Sequence, residues 1–105
     1  MKMYFLVLYN LSPIPQWIQA GHAAVEYMLK YGNEEATKDR AENHKTFIVL
    51  NGGTSVTMEQ HLQYLRKNHI KEVYFVEPDF RNLITAIAFL SQDDIEYFTN
   101  NFKLA

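Results

Sequence analysis

An unbroken run of strand formers, Met3-Tyr4-Phe5-Leu6-Val7-Leu8-Tyr9, predicts a central strand covered on both faces. Asn10-Leu11-Ser12-Pro13-Ile14-Pro15 interrupts it. Two prolines this close forbid a strand ladder, whereas Pro15 suits the first turn of a helix. That helix is expected from about Gln16 to Tyr31. Ile18, Val25 and Leu29 lie at helical spacing as an apolar stripe, with Trp17, Ala24 and Met28 beside it, and Gly32-Asn33 ends it. From Asn33 to His44 the chain turns polar (Glu34, Glu35, Lys38, Asp39, Arg40, Glu42), which reads as a solvated short helix or loop.

Thr46-Phe47-Ile48-Val49-Leu50 reads as the second strand, followed by the turn Asn51-Gly52-Gly53-Thr54-Ser55. A Gly-rich turn between strand and helix can cradle phosphate. This one lacks the Gly-Lys-Ser/Thr ending of a phosphate loop. Thr57 with Gln60 reads as a capping box opening a helix to about Asn68, with Leu62 and Leu65 facing inward. Val73 to Val76 is the third strand, Glu77-Pro78-Asp79-Phe80-Arg81-Asn82 a polar turn, and Leu83 to Leu90 the fourth strand. The connection between these strands is too short for a helical crossover, so the pair is expected to be an antiparallel hairpin. Ser91 with Asp94 reads as an N-cap opening a last helix through Phe102, packed by Ile95, Phe98 and Phe102.

The order β-α-β-α-β-β-α with two right-handed crossovers predicts a single α/β domain over residues 1–105, a three-layer α/β/α sandwich around a mixed sheet. A chain of 105 residues can bury a real core but has no room for a second domain. Hydrophobic residues make up 48% and aromatics 14%, which excludes a disordered chain. There is no cysteine, hence no disulfide framework and no thiolate chemistry. The first apolar run is too short to span a membrane and no small-residue cleavage site follows it, so no signal peptide is read and a cytoplasmic location is expected. A net charge of −2 predicts no strong general attraction to nucleic acid, and no DNA or membrane partner is expected. The pattern does not fix the oligomeric state and leaves a homodimer open.

The candidate chemistry starts at Gln19-Ala20-Gly21-His22-Ala23-Ala24, where a polar pair sits among residues of minimal bulk. A helix so thin can approach a sheet closely, holding Gln19 and His22, one turn apart, in a shielded groove. The plainer reading is a tightly packed helix with a satisfied, half-buried histidine. Glu77, Asp79 and Arg81 in the polar turn are the candidate partners. A histidine beside a carboxylate can act as an oriented general base toward water, although Asp79 and Arg81 could equally be a turn-stabilising ion pair. The other histidines offer less. His61 and His69 are about 12 Å apart along a helix, too far for one metal ion. His69 near the helix end reads as a favourable charge for the dipole. His44 has no nameable partner, no metal-ligand spacing is present, and no serine stands in a nucleophile elbow.

With these residues in view, the chain resembles the type II peptidyl-tRNA hydrolases. The family carries Gln-Cys-Ser-His-Ala-Ala on its first helix, where this chain has Gln19-Ala20-Gly21-His22-Ala23-Ala24. Its polar turn Asp-Ala-Gly-Arg-Thr-Gln is matched by Glu77-Pro78-Asp79-Phe80-Arg81-Asn82, and its closing strand by Leu83-Ile84-Thr85-Ala86-Ile87-Ala88. Thr57-Met58-Glu59-Gln60 matches the Ser-Glu-Glu-Glu that starts its second helix. The likeness runs through nearly the whole chain and is that of a compact, divergent member, of a kind found in phages. It implies a sheet order 2-1-4-3 and hydrolysis, without metal or cofactor, of the ester joining a peptide to tRNA. His22 and Gln19 are similar to the family's histidine and glutamine. Glu77 stands near its catalytic aspartate, with Asp79 as the alternative if the turn is gapped differently. The family's lysine falls on Pro15, its cysteine and serine are Ala20 and Gly21, and the turn's threonine is replaced by Arg81.

The expected function is therefore hydrolysis of peptidyl- or N-blocked aminoacyl-tRNA. His22 would activate water, Glu77 or Asp79 would orient it or stabilise the imidazolium, and Arg81 would supply the missing lysine's charge. Gln19, Arg81 and Asn82 would bind substrate. The rivals are a catalytically inert tRNA- or protein-binding module on the same fold, and hydrolysis of an unrelated small ester or amide.

Overall fold

The computed structural model describes residues 2–9, 13–43, 45–78, 81–90, 96–99 and 102–105. Its elements run β1 (Met3–Leu8), α1 (Pro13–Tyr31), α2 (Glu35–Asn43), β2 (Phe47–Gly53), α3 (Ser55–Lys67), β3 (Glu72–Glu77), β4 (Leu83–Leu90) and α4 (Glu96–Thr99). The sheet order is β2-β1-β4-β3. β1 pairs parallel with β2 and antiparallel with β4, and β4 pairs antiparallel with β3. The expected α/β sandwich, mixed sheet and hairpin of the last two strands are all present. No helix among the described residues is long and apolar enough to cross a membrane.

Alternation along the central strands divides the core into two layers. Met3, Phe5 and Val7 of β1 with Ala86, Ala88 and Leu90 of β4 form one cluster with Ala20, Ala23 and Tyr27 of α1. Leu6 and Leu8 of β1 with Ile87 and Phe89 of β4 form the other, with Met58, Leu62 and Leu65 of α3. Ala86, Ala88 and Ala23 are fully buried, so α1 meets β4 through methyl groups and lies close to it.

Several sequence expectations shift. α1 begins earlier, at Pro13, and its apolar stripe is turned outward: Ile18, Val25 and Leu29 are exposed, as are Trp17 and Met28, while Gln16, Gln19, Ala20, Ala23 and Tyr27 face the sheet. α3 begins at Ser55 with Thr54 as its cap, not Thr57. The Thr54 hydroxyl accepts from the Thr57 N–H at 3.2 Å, and Thr57 Oγ1 donates back to the Gly52 carbonyl at 2.9 Å. Gly53 has φ of +87°, and a Cβ there would run into the Thr57 hydroxyl, which is why the turn carries glycine. His69 follows the helix in the left-handed region at φ 58° rather than sitting within the last turn. The last helix stops at Thr99. Phe102 lies beyond it, half-buried, and the expected cap at Ser91 and Asp94, with Ile95, falls outside the described residues, as do His44 and the break at Asn10 to Ser12. The last residues lie along the edge of β2: Leu104 bridges antiparallel to Leu50, and the Ala105 N–H donates to the Val49 carbonyl at 3.0 Å.

Candidate functional site

Two irregularities mark the end of the sheet where β1, β2 and β3 finish. Val7 pairs with Asn51 but Leu8 with Gly53, and Phe75 pairs with Ala86 but Val76 with Ile84. The second places Thr85 as an extra residue in β4. A bulge re-aims the side chain it carries. Ile84 consequently joins the α3 layer, and Thr85, fully buried, turns toward α1.

There its hydroxyl donates to Gln19 Oε1 at 2.7 Å. With its oxygen so held, the Gln19 amide presents Nε2 to β3 and donates to Glu77 Oε2 at 3.3 Å. Gln19 is 5% exposed, so the short chain Thr85–Gln19–Glu77 is shielded along most of its length and ends on a half-buried carboxylate at the rim. One turn earlier Gln16 is also buried and donates to the Leu8 carbonyl at 3.3 Å, tying the start of α1 to the end of β1.

His22 is solvent-exposed, one turn beyond Gln19, and its ring stacks on Phe75 at 4.5 Å between centroids. Because α1 runs antiparallel to β3, Gln19 lies over Glu77 while His22 lies over Phe75. These two positions share one strand face and are about 6.6 Å apart along the strand.

The remaining candidates are spread around the same sheet end. Arg81 and Asn82 are exposed and both adopt the left-handed region, φ 57° and 58°, a conformation uncommon for non-glycine residues and enriched at functional turns. Asn82 lines a shallow cleft with Ser55, Val56 and Glu59 at the start of α3, on the opposite face from Gln19. Asp79 falls outside the described residues. The Gly-rich turn after β2 spends its groups internally, Gly53 N–H donating to Asn51 Oδ1 at 2.9 Å. Thr85 was not singled out by sequence reasoning, since a threonine inside an apolar strand run is unremarkable until the bulge aims it.

Titratable groups elsewhere serve the fold. Burial, with Tyr31 and Glu34 nearby, pushes the Tyr27 phenol up to about 12, so it stays neutral. The buried Glu72 accepts from Arg66 Nε at 3.1 Å, and that bond holds the guanidinium above its ordinary value. His61 donates from Nε2 to the Gly52 carbonyl at 3.0 Å and packs against Phe102, and burial pushes its pKa below the ordinary histidine value. No protein-family model matches this chain, and no curated protein matches it either.

Proposed function

We propose that this chain hydrolyses the ester joining a peptidyl or N-blocked aminoacyl group to tRNA, as a divergent relative of the type II peptidyl-tRNA hydrolases. The observation that carries the reading is the buried Gln19 bonded to Glu77 from one side and Thr85 from the other, one helical turn from His22. A carboxylate steered by a fixed amide, with an exposed histidine stacked on the strand residue two positions before it, supports general-base hydrolysis.

In this reading, water held between His22 and Glu77 loses a proton to the imidazole as its oxygen attacks the ester carbonyl. Glu77 stabilises the imidazolium. The tetrahedral intermediate then expels the ribose oxygen, which takes the proton back from His22, leaving a carboxylic acid and free tRNA. Arg81 offers positive charge to the oxyanion or to a tRNA phosphate, in place of the lysine the family carries at the Pro15 position. Asp79 is the alternative carboxylate, and Asn82 an outer contact to substrate.

The test is incubation of the purified protein with diacetyl-lysyl-tRNA, following release of the acyl group. Release well above the spontaneous rate is expected, and release at the spontaneous rate would refute the enzyme reading. Retained tRNA binding in that inactive sample would identify an inert binding module instead.

A further inference from the structure

Among the described residues the sheet keeps one open edge. Along β2 the last residues of the chain fill the ladder: the Ala105 N–H donates to the Val49 carbonyl at 3.0 Å, and the Asn51 N–H to the Lys103 carbonyl at 2.9 Å. β3, at the other end of the strand order, pairs with β4 alone.

The alternation of ladder bonds fixes which β3 groups are left over. The Met3 N–H donates to the Thr46 carbonyl at 3.1 Å, so Met3 and Phe5 bond toward β2, and Tyr4 and Leu6 toward β4. Their partners Phe89 and Ile87 then face β1, which leaves Ala88 and Ala86 to bond with Val73 and Phe75. The backbone N–H and C=O of Tyr74 and Val76 consequently point out of the sheet. The Glu72 carbonyl on the same edge is taken by the Tyr31 hydroxyl at 3.4 Å. The open stretch therefore runs from Tyr74 to Val76 and leads directly to Glu77, the carboxylate of the candidate site.

We infer that the acyl chain of the substrate lies along this edge as an added strand, parallel to β3, with its ester at Glu77. The inference rests on the reading of that site as one for acylated tRNA. Direction follows from the chemistry: the ester closes the C-terminal end of a peptidyl group, so a chain reaching Glu77 along β3 runs as β3 runs. A strand edge recognises main chain rather than side chains, which suits peptidyl groups of varied sequence. A cleft of about 150 Å³ straddles the edge at Tyr74, with Glu26 and Lys30 of α1 on one side and Arg66 of α3 on the other. Tyr74 lies about 10 Å before Glu77, so the third residue from the ester falls there. With Glu72, the acids and bases of this cleft balance, which favours uncharged main chain over tRNA phosphate.

Binding of tRNA that carries acetyl-alanyl or acetyl-tetraalanyl through a 3′-amide, which does not hydrolyse, tests this on the full chain. The longer group should bind about tenfold more tightly, the worth of two or so added hydrogen bonds. Eight alanines should add less than about twofold over four, since the edge closes at Glu72. Tyr74→Pro removes an N–H that the ladder does not use. It should abolish the gain while the short conjugate binds as before, which also shows that the fold is kept. Tyr74→Val retains the N–H and should keep the gain. Equal affinities in the wild type, no binding of either conjugate, or a gain that survives Tyr74→Pro would overturn the proposal. So would its loss in Tyr74→Val, which would give recognition to the side chain. A length gain without acyl release from the ester would defeat only the hydrolysis reading, and release without a length gain only this inference.

Discussion

Gln19 is the residue on which the candidate site turns. Its amide has one acceptor committed to Thr85 and one donor to Glu77, so removing the threonine donor frees the amide to rotate. Thr85→Val, matched in shape, should cost about 1–2 kcal/mol of stability by leaving Gln19 Oε1 buried and unpaired, and Thr85→Ser should recover most of it. Urea denaturation of the three proteins checks this, and equal midpoints would mean the bond contributes nothing. Gln19 and His22 were legible in the sequence because they are polar residues among alanines and glycine on a helix. Thr85 was not, because nothing in Leu83-Ile84-Thr85-Ala86 announces that the strand gains a residue there.

At the scale of the element, α1 shows what periodicity can and cannot tell. Spacing put Ile18, Val25 and Leu29 on one stripe, but which side meets the sheet depends on what the sheet offers, and β4 offers Ala86 and Ala88. Methyl groups facing Ala20 and Ala23 allow close approach and leave the bulky stripe outside. Added bulk on α1 is therefore felt most at Ala23, which is fully buried against the sheet. Ala23→Leu should cost about 1–3 kcal/mol, whereas Ala24→Leu enters the groove beside Phe47 and should shift the midpoint by less than about 0.5 kcal/mol. A larger loss in Ala24→Leu than in Ala23→Leu would reverse the assigned orientation of α1.

Across the whole molecule, the mixed sheet and the antiparallel hairpin of its last two strands followed from connection lengths and crossovers, whereas the strand order was what the resemblance implied. The two bulges that shape the site end followed from neither, since register shifts arise from how neighbouring strands meet. His61 joins α3 to the Gly52 carbonyl and to Phe98 and Phe102 near the end of the chain. Its pKa is lowered in the fold by burial, so the unfolded chain binds the proton more readily. The resulting stability is fully present above the ordinary histidine value near 6.5 and is lost as pH falls through the lower folded value. Denaturation midpoints measured between about pH 5 and 8 should fall toward the acid end in the wild type and fall less in His61→Gln, whose amide can still donate to Gly52. Parallel pH profiles would remove His61 from that role.

The central claim is that the carboxylate steered by Gln19 takes part in ester hydrolysis with His22. Turnover of diacetyl-lysyl-tRNA by Glu77→Gln, with circular dichroism confirming the fold, tests it most directly. The account predicts a loss of about 10²–10⁴-fold, the range for removing a group from general acid–base catalysis, with Asp79→Asn far less affected. Wild-type turnover in Glu77→Gln, or a collapse confined to Asp79→Asn, would contradict it.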